Sequence, residues 1–219
     1  MEKKNSRLFW VGVGLLAVFV LWTVLIRFVD VEAIGPRQSS VGFATLNGYI
    51  HNLTGVNMSL YIITDWLGLV PIGVAFGFAV LGLVQWIKRK SLSKVDQSIL
   101  TLGGFYIVVM AVYILFEIVV INYRPTLING YLEASYPSST TMLVMCVMPT
   151  AMMQLRTRIK NDLFRRCVML VIAVFIAFMV IGRLVSGVHW ITDIIGSALF
   201  STAIVLIYYS IGNIVAKSR

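Results

Sequence analysis

The sequence predicts an all-α integral membrane bundle of six transmembrane helices, with a short interfacial helix between the first two. Three observations predict it. The 219 residues are 59% hydrophobic and only 12% charged, against about 25% charged in soluble domains. The apolar residues fall in runs long enough to cross a bilayer, which takes about 20 residues of helix. The basic residues sit in short clusters between those runs. A mean hydropathy of +0.90 fits the same class. Residues 1–219 read as one membrane-embedded domain, without internal repeat or low-complexity tract.

The first span is expected over residues 9–29, behind Lys3, Lys4 and Arg7. It exceeds the roughly 7–15 apolar residues of a signal peptide and reads as an uncleaved anchor. Residues 30–58 are more polar, with Gly35-Pro36 and Asn47-Gly48 as loop signals, and hold the interfacial helix. His51 falls there with no partner at ligand spacing and reads as an interfacial polar residue. Asn52 and Asn57 each begin a glycosylation pattern, to which no role is assigned.

The second span, residues 60–87, carries Asp65 near its outer end and closes on Lys88, Arg89, Lys90 and Lys94. The third, residues 99–122, holds Glu117, which needs a partner at that depth. A loop follows to Pro137. The fourth span covers residues 138–155, ahead of Arg156, Arg158, Lys160, Arg165 and Arg166; the fifth covers 167–186 and the sixth 190–215. Cys146 and Cys167 show no metal spacing and are expected to be buried, inert thiols.

Six spans place both termini on one side of the membrane. That side holds fourteen of the eighteen lysines and arginines, leaving Arg27, Arg37, Arg124 and Arg183. The positive-inside rule makes the termini cytoplasmic. The net charge of +9 therefore marks topology; the clusters form no basic face for nucleic acid. A multi-pass protein, most naturally of the plasma membrane, is expected.

The outer side then collects the unusual residues. Gly182-Arg183 is followed by Ser186-Gly187, His189 and Asp193 between two apolar runs. Ionisable groups at such places are costly and point to function. On a helix, His189 and Asp193 share a face at spacing four, so the carboxylate can orient the imidazole. A bend at Ser186-Gly187 returns Arg183 towards the ring. The competing reading pairs Arg183 with Asp193 and leaves His189 as a capped interfacial residue. Tyr123-Arg124-Pro125 and Tyr136-Pro137-Ser138-Ser139-Thr140-Thr141 border the same side. The second is a hydroxyl-rich helix start, which suits an anion or serves as an ordinary cap. Two arginines beside it favour a phosphate, whose oxygens fit the planar fork.

Arg124-Pro125, Pro137-Ser138 and Arg183-x5-His189-x3-Asp193 together resemble the three-part signature of the type 2 phosphatidic acid phosphatases, the lipid phosphate phosphatase family. The resemblance covers the third to sixth spans, and its third part is the most specific. It implies that His189 attacks phosphorus to form a phosphohistidine and that Asp193 orients it. It further implies that Arg124, Ser138, Ser139 and Arg183 bind the phosphoryl oxygens, with no metal or other cofactor. A neutral imidazole is a competent nucleophile, and cationic donors neutralise the charge on the equatorial oxygens.

The sequence departs from that signature in three places. The lysine expected seven residues before Arg124 is Glu117. The histidine that protonates the leaving group is Thr140, in Pro137-Ser138-Ser139-Thr140. The third part begins with Gly182 where serine is usual. Three accounts follow. Without a general acid, a good leaving group is needed, which favours a polyprenyl diphosphate over a phosphomonoester. Alternatively Glu117 substitutes as acid, against the simpler expectation that it pairs with Arg124. In the third account the protein binds or moves lipid phosphates without hydrolysing them. The expectation is a membrane lipid phosphatase acting on a lipid phosphate or diphosphate within the bilayer, with phosphotransfer on the same scaffold as a further alternative.

Overall fold

A computed structural model describes residues 2–215. Among them it contains eight α-helices and no strands: α1 (Glu2–Phe28), α2 (Ala44–Thr54), α3 (Met58–Leu67), α4 (Leu69–Arg89), α5 (Gln97–Ile118), α6 (Ser139–Arg158), α7 (Asp162–Val185) and α8 (Ile191–Val215). Five stretches are long and apolar enough to cross a membrane: Asn5–Phe28, Met58–Arg89, Gln97–Ile118, Asp162–Val185 and Ile191–Gly212.

The fourth expected span, α6, does not reach that apolarity. It carries Thr140, Thr141, Pro149, Thr150 and Gln154, all but Pro149 of them buried. The reason lies in its surroundings. α4, α5, α7 and α8 all pack on α6, so its polar groups meet protein partners and not lipid. Thr150 bonds back to Cys146 and Val147, and Gln154 donates to the Tyr208 hydroxyl at 2.8 Å.

α1 and α8 make the longest helix contact. Gly12 permits it, because a Cβ there would lie 2.8 Å from the Ala203 carbonyl oxygen. The expected interfacial helix is α2. Asn47-Gly48 lies inside it, not in a loop: Asn47 is fully buried, donates to Gly42 O and Thr192 Oγ1, and accepts from Thr192 N. It thereby satisfies the start of α8 from another part of the chain. The second expected span is two helices, α3 and α4, meeting at Gly68. Cys146 is buried as expected, whereas Cys167, in the second turn of α7, is exposed.

The core beneath the outer rim is aromatic. Tyr136, 1% exposed, stacks on Phe19, meets Phe116 edge-on, and shares a 2.7 Å hydrogen bond with Thr23. That ring anchors the loop before α6. Earlier in the loop the chain forms a small hairpin. Ile128 and Tyr131 exchange both backbone hydrogen bonds around Asn129-Gly130, both at positive φ, as a tight two-residue turn requires.

Candidate active site

The site is built where this loop, α3 and the α7–α8 turn converge. Three constraints shape the turn. Gly187 has φ +67°, and a Cβ there would lie 1.8 Å from the Gly55 carbonyl oxygen, so only glycine fits. Asn57 N–H donates to Ser186 O, tying the start of α3 to the same turn. The Asp193 carboxylate accepts from Trp190 N–H at 2.9 Å and so caps α8 from within its first turn. His189 consequently precedes the helix. The expected approach of His189 to Asp193 occurs, with Nδ1 and Oδ2 3.6 Å apart, but through the turn and not along a shared helical face.

The closer link runs through Ser135, which the sequence reading did not single out. Its hydroxyl donates to Asp193 Oδ2 and lies 3.2 Å from His189 Nδ1. On the other ring nitrogen, Arg183 NH2 lies 3.3 Å and Arg124 NH1 3.5 Å from Nε2. Guanidinium groups only donate, so Nε2 presents its lone pair and Nδ1 carries the proton. Burial, and then Arg124 and Arg183, hold the His189 pKa well below the usual histidine range. His189 is 3% exposed, and Arg183 and Asp193 are wholly buried. A neutral imidazole thus directs its Nε2 lone pair between two fixed cations.

Arg183 does not pair with Asp193. Its NH1 lies 3.5 Å from both Thr64 Oγ1 and Asp65 Oδ1. The Tyr61 ring packs over both guanidiniums, 4.9 Å from Arg183 Cζ and 5.8 Å from Arg124 Cζ. Tyr61, Thr64 and Asp65 are spaced along one face of α3, and none was legible as part of the site. Arg124 is paired, but with Glu133 across the hairpin at 3.1 Å, not with Glu117. α5 ends at Ile118, so the helical register assumed for Glu117 and Arg124 does not extend that far.

The remaining expected residues lie around this centre. Ser138 is buried; its hydroxyl donates to Thr141 and its N–H to the Asp193 carbonyl. Ser139 and Glu117 line a narrow cavity with Ser135, Tyr136 and His189. Thr140 packs beside α3, its methyl 3.2 Å from where a Gly68 Cβ would be. The first N–H groups of α6 lack intrahelical acceptors by geometry and start beside this centre. His51 stands apart, half-buried with its ring 5.4 Å from that of Trp190. Among the described residues no three His, Cys, Asp or Glu side chains gather as a metal site would require.

Residues 119–215 match the PAP2 superfamily model. The matched segment contains all three motifs. The whole chain also resembles the crystal structure of a transmembrane PAP2-type phosphatidylglycerolphosphate phosphatase from Bacillus subtilis. The two are 19% identical, with a TM-score of 0.57 over 95% of this chain and 98% of the other; that likeness is one of fold. No curated protein matches the sequence.

Proposed function

We propose that this protein is a lipid phosphatase forming one membrane-embedded domain that crosses the plasma membrane six times, α6 included. Its termini are cytoplasmic and His189 faces the other side, in line with the basic clusters. The observation that carries the reading is the convergence of Arg124 and Arg183 on His189 Nε2, with Nδ1 facing Ser135 and Asp193. Simple binding of a phosphate needs the cations but not an oriented neutral imidazole between them.

In the proposed reaction a phosphoryl group enters between the guanidiniums, with Ser139 and the start of α6 supplying further donors. His189 Nε2 attacks phosphorus, the bond to the leaving oxygen breaks, and that oxygen keeps the electron pair. The imidazolium formed retains its Nδ1 proton, stabilised through Ser135 by Asp193. Water then attacks the phosphohistidine and releases inorganic phosphate.

The favoured substrate is a polyprenyl diphosphate. Thr140 cannot protonate a leaving group. An alkoxide leaves with a conjugate-acid pKa near water's ~15.7, whereas a phosphate leaves with one near ~6. A general acid contributes roughly 10²–10⁴-fold, a loss that the better leaving group offsets. The Thr140 side chain packed against α3 also suits the second reading, a protein that binds or moves lipid phosphates without cleaving them.

The test is phosphate release by purified protein from a polyprenyl diphosphate, the matching monophosphate, phosphatidic acid and phosphatidylglycerolphosphate. Release from the diphosphate alone, abolished by His189→Ala, is expected. Equal release from a monoester would sink the leaving-group argument and make Glu117→Gln the next variant. Binding of all four without turnover would favour the second reading.

A further inference from the structure

The signature histidine replaced by Thr140 has two tasks on paper: an acid for the leaving group and, in the reverse sense, a base for the water that clears the phosphohistidine. A diphosphate removes the need for the first task only. The second remains, because the attacking water must lose a proton whatever the leaving group was.

We infer that Asp65 performs it, as the general base of the dephosphorylation step. This rests on the phosphohistidine reading above. Its carboxylate oxygen lies 3.5 Å from Arg183 NH1 while the other terminal nitrogen of that guanidinium, NH2, lies 3.3 Å from His189 Nε2. One guanidinium width therefore separates the carboxylate from the nitrogen that carries the phosphoryl group. Tyr61, one turn earlier on α3, walls both arginines, so this face of α3 forms a side of the phosphoryl site. Thr140 packs against Gly68, within a turn of Asp65 on the chain. The place vacated by the motif histidine is thus bordered by the segment that carries Asp65.

Exposure separates Asp65 from the buried groups. The Asp65 side chain is 55% accessible, whereas Arg183, beside it, has none. With Asp65 near the outer end of its span, water from the outer side can reach the carboxylate, and the proton it accepts can leave to solvent. Asp193 cannot substitute, being buried and committed to Ser135 and Trp190. Glu117 lines the cavity on the Ser139 side and makes no ion pair with either arginine among the described residues.

A water oxygen donates a lone pair to phosphorus as the N–P bond breaks. That bond's electrons return to Nε2, the water proton passes to Asp65, and inorganic phosphate departs. Asp65 then releases the proton to bulk water.

Rapid-quench kinetics on a polyprenyl diphosphate, with the 32P-labelled terminal phosphate followed on the protein, test this. In Asp65→Asn a burst of polyprenyl monophosphate at the wild-type rate is expected. Steady-state turnover should fall about 10²-fold, and acid-labile phosphoprotein should accumulate. Asp65→Glu should recover part of the turnover, and Glu117→Gln should accumulate no phosphoprotein. Loss of burst and turnover together, or Asp65→Asn turnover without accumulated phosphoprotein, overturns the assignment to Asp65. Accumulation in Glu117→Gln in its place gives the base to Glu117 and overturns it equally. Turnover surviving in His189→Ala, with no phosphoprotein in any variant, would instead overturn the underlying phosphohistidine reading.

Discussion

Replacing Ser135 by alanine isolates the link between the carboxylate and the imidazole. The hydroxyl donates to Asp193 and faces the Nδ1 proton of His189, but it reaches neither arginine. Its removal leaves Asp193 Oδ2 with the Trp190 N–H at 2.9 Å and with His189 Nδ1 at 3.6 Å, too long for a good hydrogen bond. A hydrogen bond to a charged group contributes about 1.5–3 kcal/mol. If that is lost only as the imidazolium forms, kcat should fall about 10- to 150-fold. KM should stay within about twofold, because the phosphate-facing cations are untouched. Ser135→Thr, which keeps the hydroxyl, should recover much of kcat. The assay is steady-state phosphate release with thermal denaturation of each variant alongside. A wild-type kcat in Ser135→Ala would refute the relay. So would a raised KM with kcat unchanged, since Ser135 would then be acting on binding.

Arg183→Lys should lower kcat/KM by about 10²–10³-fold, the usual loss for one preorganised donor; lysine's single ammonium cannot serve Thr64, Asp65 and His189 together. Retention of activity, measured as phosphate release, would contradict a bidentate role. Gly187→Ala should lower the melting temperature by about 5 °C or more, given the positive φ and the clash with the Gly55 carbonyl; an unchanged melting curve would refute the account of the turn. The lowered pKa of His189 also sets the direction of a pH effect. Folded, the ring stays neutral; unfolded, it protonates below about 6.5. Its contribution is therefore neutral above that value and destabilising as pH falls below it, down to the folded pKa. The melting temperature should drop on acidification from pH 7 to pH 5, and His189→Asn should remove part of that drop.

The fold was legible where physics is local. Runs of about 20 apolar residues and the basic clusters between them indicate helices and sides without reference to any distant contact. The same reasoning does not show why α6 is less apolar than the other expected spans, because apolarity measures exposure to lipid. A helix enclosed by four neighbours can carry Thr150 and Gln154 if those neighbours bond them. It also missed the break at Gly68, where α3 ends and α4 begins.

The site was legible only on its own segments. Arg183, His189 and Asp193 lie within one short stretch, and spacing suffices to suspect them. The groups that complete their environment are far away in the chain. Asp65 meets Arg183 across 118 residues and Ser135 meets Asp193 across 58. No periodicity encodes such pairs. Charge does constrain them, however. A fully buried arginine demands an anion or acceptors nearby, so once Asp193 is committed to the start of α8, some other carboxylate has to face Arg183. Asp65, placed near the outer end of its span by the sequence, was the acidic residue available at the right depth. The same reasoning applies to Arg124, for which the helix end at Ile118 removes Glu117 and the hairpin supplies Glu133. Asking which carboxylate each buried cation can still reach narrows the choice where motif spacing is silent, and it leads to the side of α3 where the acid–base function missing from Thr140 is here assigned.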